Sequence, residues 1–265
     1  NESMKSVFYL FLFISCGNVQ LEKKKLSQQL DQLNSSIDTL ATTVSGRFHC
    51  PDSFTRKTAS QGSFTNYLRD LNLKPYGSEV KYFDGTGKYN NNVYASVIDM
   101  PITNKDLQQC ADAVMRLRGE FLFKMKRYNE ISFRFTGDGK MHGYVQYAGN
   151  DRSYETFRKY MDHVFNFANT ASLFKQLKAK SMHDIEPGDV LIQTGNPYGH
   201  AVIVLDVCSD NNGNKQYMLA QSYMPAQETQ VLLNPLTGGV WYSAKTEGTI
   251  ETPEYNFEVS NLRTW

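Results

Sequence analysis

The segment Glu186 to Tyr223, EPGDVLIQTGNPYGHAVIVLDVCSDNNGNKQYMLAQSY, constrains the fold more than any other part of the chain, because it reads as three consecutive strands joined by turns. Pro187-Gly188 is a turn signal, Val190-Leu191-Ile192 a short apolar run, and Thr194-Gly195-Asn196-Pro197 a second turn. His200 opens the strand Ala201 to Val207, whose Val, Ile and Leu leave few polar positions, as expected for a central strand covered on both faces. Side chains alternate across a strand, which places His200, Val202, Val204, Asp206 and Cys208 on one face. The next strand, about Gln216 to Ser222, returns after the polar loop Ser209 to Asn214. If Val207 pairs with Asn214, or Cys208 with Lys215, Gln221 lies opposite His200 or Val202 and on the histidine's face. A register one residue different puts Ser222 there instead. In either register a small polar side chain sits beside the imidazole and sets its tautomer.

The chain has 265 residues, enough to bury a substantial core without disulfides. Its 28 Lys and Arg balance 27 Asp and Glu, so no global field attracts nucleic acid, which is excluded as an expected partner. Near the start, Met4-Lys5 precedes the apolar run Val7 to Ile14, which ends at Ser15-Cys16-Gly17. This order describes a secretory signal over residues 1–15, and the run is too short for a permanent membrane span. Phe13-Ile14-Ser15-Cys16 resembles a bacterial lipobox, which implies cleavage before Cys16 and lipid on its thiol and new amino terminus. Several acyl chains anchor firmly, each buried methylene adding about 0.8 kcal/mol. The expected location is therefore the bacterial cell envelope, lipid-anchored to a membrane, with the domain in the periplasm or at the cell surface.

Residues 16–45 are expected to be a tether. Leu26, Leu30, Leu33, Ile37 and Leu40 follow a 4-3-4-3 spacing, giving a helix with one narrow apolar seam. A single α+β domain is expected over residues 46–265. Ser63 to Leu73 reads as a helix, and Val80 to Phe83 and Val93 to Met100 as strands. Thr103 and Asp106 resemble a capping box before the helix Leu107 to Phe123, whose Leu107, Cys110, Val114, Leu117 and Phe121 form a buried stripe. Ile131 to Phe135 and Met141 to Tyr147 flank Thr136-Gly137-Asp138-Gly139, a hairpin signal. Ser153 caps a helix through about Phe167, and Ala171 to Leu177 is a third, short helix. Thr229 to Leu233, Val240 to Ser243 and Tyr255 to Val259 read as further strands.

With Cys16 assigned to lipid, Cys50, Cys110 and Cys208 remain, so at least one thiol is free or bonded between molecules. A Cys50–Cys208 disulfide would leave Cys110 reduced, although pairings cannot be read from sequence. His49-Cys50 and Cys208 lack a metal-ligand spacing, and neither metal nor cofactor is expected. His142, His163 and His183 are expected at the surface. Cys110 lies near a helix start, where unsatisfied amides and the dipole favour a thiolate. On position alone, a cysteine on an apolar stripe also suits inert packing, and a cap at Thr103 or Asn104 would place it in the second turn. Combined with His200 and Gln221, it forms the set needed for acyl transfer: nucleophile, base and orienter. Helix-start amides would hold the oxyanion.

Two resemblances extend this reading. Ile185-Glu186-Pro187-Gly188-Asp189-Val190-Leu191-Ile192, Gly199-His200-Ala201-Val202-Ile203-Val204 and Met218-Leu219-Ala220-Gln221-Ser222 resemble the latter half of the NlpC-type, papain-like cell-wall peptidases. The resemblance implies a papain-like core with Cys110 as nucleophile on a helix packed against an antiparallel sheet, the intervening hairpin and helices being an insertion. Gln109 and Ala111 stand where that family has aspartate and serine. A wider resemblance covers Ser63-Phe64 through Leu73-Lys74-Pro75, Phe83-Asp84-Gly85, the run Asp106-Leu107-Gln108-Gln109-Cys110-Ala111-Asp112-Ala113-Val114-Met115-Arg116-Leu117-Arg118, and Ala220-Gln221-Ser222-Tyr223-Met224-Pro225-Ala226-Gln227. These are similar to the DUF4846-type family of bacterial lipoproteins, a domain of unknown function that supplies no reaction. The expected function is an envelope-anchored cysteine amidase or peptidase acting on peptidoglycan peptides or a related amide. The alternative is a non-catalytic lipoprotein whose cleft binds an envelope glycan, peptide or protein.

Overall fold

The computed structural model describes residues 36–195 and 198–265. The expected signal peptide, Cys16 and the seam positions Leu26, Leu30 and Leu33 lie outside the described residues. The seam's last two positions are not helical. Ile37 bridges antiparallel to Phe48, and Leu40 sits exposed in a turn closed by Asp38, whose Oδ1 accepts from Leu40 N at 2.9 Å. An aspartate side chain that satisfies a nearby amide competes with helix formation in this way. Among the described residues no helix is long and apolar enough to cross a membrane.

Among the described residues the strands are, in chain order, β1 (Tyr94–Val97), β2 (Ser132–Arg134), β3 (Met141–Gly143), β4 (Lys178–Ala179), β5 (Val190–Gln193), β6 (His200–Ser209), β7 (Lys215–Gln221), β8 (Gln230–Leu232), β9 (Trp241–Ser243), β10 (Thr249–Glu251), β11 (Asn256–Glu258) and β12 (Leu262–Thr264). The helices are α1 (Val44–Arg47), α2 (Phe64–Arg69), α3 (Cys110–Lys124), α4 (Tyr144–Ala148), α5 (Tyr154–Phe167) and α6 (Thr170–Gln176). The main sheet runs β1-β8-β7-β6-β5-β12-β4, with β9 also paired to β7, and its pairings are antiparallel. This is the expected α+β class.

β6 lies near the middle of the sheet and is buried from His200 to Cys208. On one face Ala201, Ile203 and Leu205 join a core formed largely by the helices; on the other Val202, Val204 and Val207 pack with Ile250 and Phe257 of the β10–β11 hairpin. The region from the β2–β3 hairpin through α6 packs its apolar side chains into the same core as α3. α5 turns Phe157, Tyr160, Met161, Val164 and Phe165 inward at helical spacing, and it approaches α3 closely at Gly119, where a Cβ would lie 3.1 Å from Met161 Sδ.

Several elements depart from the expected bounds. α2 ends at Arg69 because the chain then extends, Asn72 and Leu73 bridging Thr43 and Ile98. Val80 to Phe83 forms only isolated bridges, Lys81 to Gly87 and Tyr82 to Gln227. The strand expected to run to Tyr147 stops at Gly143. From Tyr144 the chain is helical, and the Tyr144 ring packs among Phe123, Phe157 and Tyr160 instead of alternating along a pleat.

The largest correction lies within β6. Cys208 pairs with Gln216 and Ser209 with Lys215, one residue from the expected Cys208–Lys215 register, but Leu205 is bulged out and the ladder resumes at Val204 with Leu219 and Ile203 with Ala220. The bulge reverses the alternation, so Asp206 and Cys208 do not share the face of His200. Asp206 is fully buried toward α2, 2.7 Å from Arg69 Nε and 2.5 Å from Arg56 Nε. Cys208 is bonded to Cys50, and Trp241 Nε1 donates to His49 O at 2.8 Å, so residues 48–56 are clamped to the far end of β6. The bond closes a loop across 158 positions. Replacing both cysteines by alanine should lower the unfolding free energy by about 2–5 kcal/mol. Urea titration of the two proteins checks this, and coincident curves would show that the arginine clamp suffices.

Candidate functional site at the split end of the sheet

The β6–β7 ladder stops at Ile203 and Ala220, leaving the first residues of β6 without a partner from β7. The start of α3 enters that gap. Ser222 Oγ lies 3.1 Å from Gln108 O and 2.6 Å from Gln227 O. Arg116, itself buried, donates at 2.6 Å to both Gln108 Oε1 and Pro101 O. Asp106 Oδ1 accepts from Ala226 N at 2.7 Å and from Gln109 Nε2 at 3.2 Å, tying the turn after the cis Met224-Pro225 bond to the same place. These contacts join two of the four stretches that carry the wider family resemblance, Asp106 to Arg118 and Ala220 to Gln227.

α3 begins later than expected. Its cap is Gln109, not Thr103 or Asn104, and Gln109 N donates to Asp112 Oδ2 at 3.0 Å. Residues 101–108 are held by Arg116 and Asp106 outside the helix, which moves Cys110 from the second turn to the first helical position. There it feels the free amides and the dipole most strongly. The thiol remains reduced and is 6% exposed. Among the described residues its side-chain hydrogen-bond partner is Thr170 Oγ1 at 3.8 Å, not the imidazole, and the backbone N–H groups of Ala201 and Ala111 lie against it. Burial pushes the thiol's pKa up, and a charge on Asp112 adds to that, outweighing Thr170 and the two amides.

His200 is therefore one residue from the amide that the sulfur touches. Gly199 allows this, since a Cβ there would lie 2.3 Å from Gln193 O and 2.9 Å from Thr194 Cα. The imidazole points to the β10–β11 side, 2% exposed, with ring centroids of Tyr223, Tyr255 and Phe257 at 4.8, 5.2 and 5.9 Å. Its Nε2 is 2.8 Å from Gln221 Oε1. Of the two expected neighbours Gln221 is the one present, while Ser222 faces the helix. Burial lowers the His200 pKa to about 4, Gln221 raising it and the Lys88 charge lowering it further. Cysteine and histidine thus rest as neutral thiol and neutral imidazole at pH 7.

A cleft of about 390 Å³ opens onto Cys110 between the start of α3, the start of α6 and the pairs Thr194-Gly195 and Tyr198-Gly199; its wall includes Asp106, Asp112, Thr170, Tyr198 and Met224. It reaches the sulfur, and His200 is not part of its described lining. Asp112 is nine-tenths buried, its Oδ1 has no partner among the described residues, and burial pushes its carboxyl up to about 8. Its charge therefore acts on Cys110 only in alkaline solution. Thr170, Asp112 and Tyr223 were not singled out from the sequence; two of them stand inside the family stretches, and Thr170 follows Asn169, whose side chain caps α6. The other histidines serve the surface and aromatic packing: His183 is exposed, His142 pairs with Asp138 and stacks on Phe135, and His163 sits half-buried among Phe135, Tyr147 and Phe167.

Fold and site together define an α+β protein that brings a cysteine, a histidine and a glutamine to the split end of an antiparallel sheet. The family model described as "Domain of unknown function (4846)" matches residues 44–152 and 138–264, and the chain belongs to this family. No curated protein and no solved structure matches it.

Two measurements check the electrostatics. With Cys16 replaced by serine, alkylation of Cys110 by iodoacetamide should accelerate about tenfold per pH unit through pH 8, as for a thiol whose thiolate is disfavoured; a rate already constant below pH 6 would indicate a thiolate–imidazolium pair. Asp112 binds its proton more tightly folded than unfolded, so it subtracts stability as pH rises from about 4 to about 8. The melting temperature of Asp112→Asn minus that of the wild type should therefore increase across that range, and a constant difference would contradict the burial argument.

Proposed function

We propose that this protein is a cysteine hydrolase of amides with a papain-like core, anchored in the bacterial envelope by lipid on Cys16 after removal of a signal peptide, and acting on peptidoglycan peptides or a related amide. The observation that carries the reading is the placement of a reduced cysteine at the first residue of α3, its sulfur against the amide of Ala201, the residue that follows a histidine whose Nε2 is held by Gln221. Nε2 being engaged, Nδ1 is the nitrogen that serves as base. It takes the thiol proton as Cys110 Sγ bonds to the substrate carbonyl carbon, and the carbonyl electron pair moves to oxygen, stabilised by amides at the helix start. Collapse breaks the C–N bond, and the imidazolium proton leaves with the amine. Water, deprotonated by the same imidazole, then hydrolyses the thioester and restores the thiol. Starting from a neutral pair is compatible with this sequence, and catalytic contacts that are long in a free enzyme tighten when substrate binds.

A second reading rests on one specific observation: the imidazole is caged by aromatic rings away from the cleft lining, as suits a protein that binds an envelope glycan, peptide or protein without cleaving it. Incubation with peptidoglycan fragments separates the two. Hydrolysis predicts new amino groups at a rate reduced at least about a thousandfold in Cys110→Ser and in His200→Ala. Fragment binding unchanged in Cys110→Ser, with no amine released by the wild type, would establish the binding reading instead.

A further inference from the structure

Beyond Gln221, the polar chain behind His200 continues through two residues from distant parts of the sequence. Gln221 Nε2 lies 2.6 Å from Glu254 Oε2, and the same oxygen is 2.6 Å from Lys88 Nζ. Lys88 follows the turn after Lys81, and Glu254 lies in the turn between β10 and β11, 166 positions away. Both side chains are largely removed from solvent, Lys88 at 2% and Glu254 at 13% exposure, and the ammonium lies 5.8 Å from the centroid of the Tyr223 ring that packs on His200.

The donor and acceptor chemistry of these groups allows one arrangement. An ammonium only donates, and the carboxylate paired with it only accepts. The side of the Gln221 amide facing Glu254 must therefore be the NH2, which leaves the carbonyl oxygen facing His200. A carbonyl oxygen only accepts, so the imidazole nitrogen 2.8 Å from it must carry hydrogen. A neutral imidazole protonated on Nε2 has its lone pair on Nδ1. The opposite amide orientation would set the Gln221 oxygen against a carboxylate oxygen at 2.6 Å, two acceptors with no proton between them.

We propose that the Lys88–Glu254 ion pair is the positioning element of this site: it orients the Gln221 amide and, through that amide, holds neutral His200 as the Nε2–H tautomer with its basic lone pair on Nδ1. The proposal rests on the Cys110–His200 reading only for what the lone pair is used for; the tautomer itself is a property of the resting protein. Neither Lys88 nor Glu254 touches the reacting atoms.

The test is long-range proton–nitrogen correlation spectroscopy on the whole chain labelled with nitrogen-15 histidine, at a pH where His200 is neutral, its resonances identified among the five histidines by their loss in His200→Gln. In the wild type the pattern should be that of a single Nε2–H tautomer. In the double variant Lys88→Met/Glu254→Leu, which removes both charges together and leaves neither buried alone, the Nδ1–H form should gain about tenfold or more relative to Nε2–H, the size of a lost charge-assisted hydrogen bond. Lys88→Arg should keep the wild-type pattern. A wild-type His200 protonated on Nδ1 would overturn the proposal without any variant, and so would an unshifted tautomer in a folded double variant. A correct tautomer in a protein that releases no amine would retire the hydrolase reading alone.

Discussion

One extra residue in β6 decides what both ends of the molecule do. Because Leu205 is bulged, the hairpin turn and the end of the ladder obey different registers: near the turn, Asp206 and Cys208 face the helical layer and take up the arginine clamp and the disulfide, while at the other end His200 stays on the β10–β11 side opposite the line of Gln221. A strand with unbroken alternation would have sent all of these to one face. The same ladder then stops short of His200, and the gap it leaves admits the start of α3. The candidate site therefore follows from strand register, with α3 fitted to it by the contacts of Asp106, Gln108 and Arg116.

The site is built mostly of buried groups kept neutral, with one ion pair behind them. Desolvation raises the thiol and the Asp112 carboxyl and lowers the imidazole, so each stays uncharged near neutrality. Lys88 is also lowered by burial, but Glu254 opposes that shift. Nothing in the resting arrangement separates charge between sulfur and imidazole. Charge would develop only during attack on a carbonyl, where a low-dielectric site gives fixed amides their greatest effect. Cys110 packs in the helical core, while His200 lies against Tyr255 and Phe257 on the hairpin side, with Tyr223 beside the ring.

Much of this was legible in the sequence because local patterns were strong. The apolar run after His200 and the Pro187-Gly188 turn identified β5 and β6, Ser153 and the inward stripe identified α5, and the polar loop identified the β6–β7 hairpin. Pairing Cys208 with Lys215 gave the correct neighbour for His200 through compensating errors: the turn is one residue out and the bulge restores the count. Nothing in the local sequence marks Leu205 as the bulged residue, so simple alternation puts Asp206 and Cys208 on the wrong face. Thr103 and Asp106 mimic a capping box ahead of α3, whereas tertiary contacts from Arg116 and Ala226 keep that stretch out of the helix. Lys88 and Glu254 were invisible for a plainer reason: each sits in a polar turn and acquires a partner only across 166 positions of chain.

The central claim is that Cys110 and His200 act on one reacting carbon. A crystal structure of the protein soaked with a peptide aldehyde tests it most directly, since a thiol adds to an aldehyde to give a tetrahedral hemithioacetal. The account predicts continuous density from Cys110 Sγ to the aldehyde carbon, with His200 Nδ1 about 3 Å from the sulfur or the new oxygen and Nε2 still on Gln221. An unmodified Cys110, or an adduct with the imidazole left behind Tyr223 and out of reach, would contradict it.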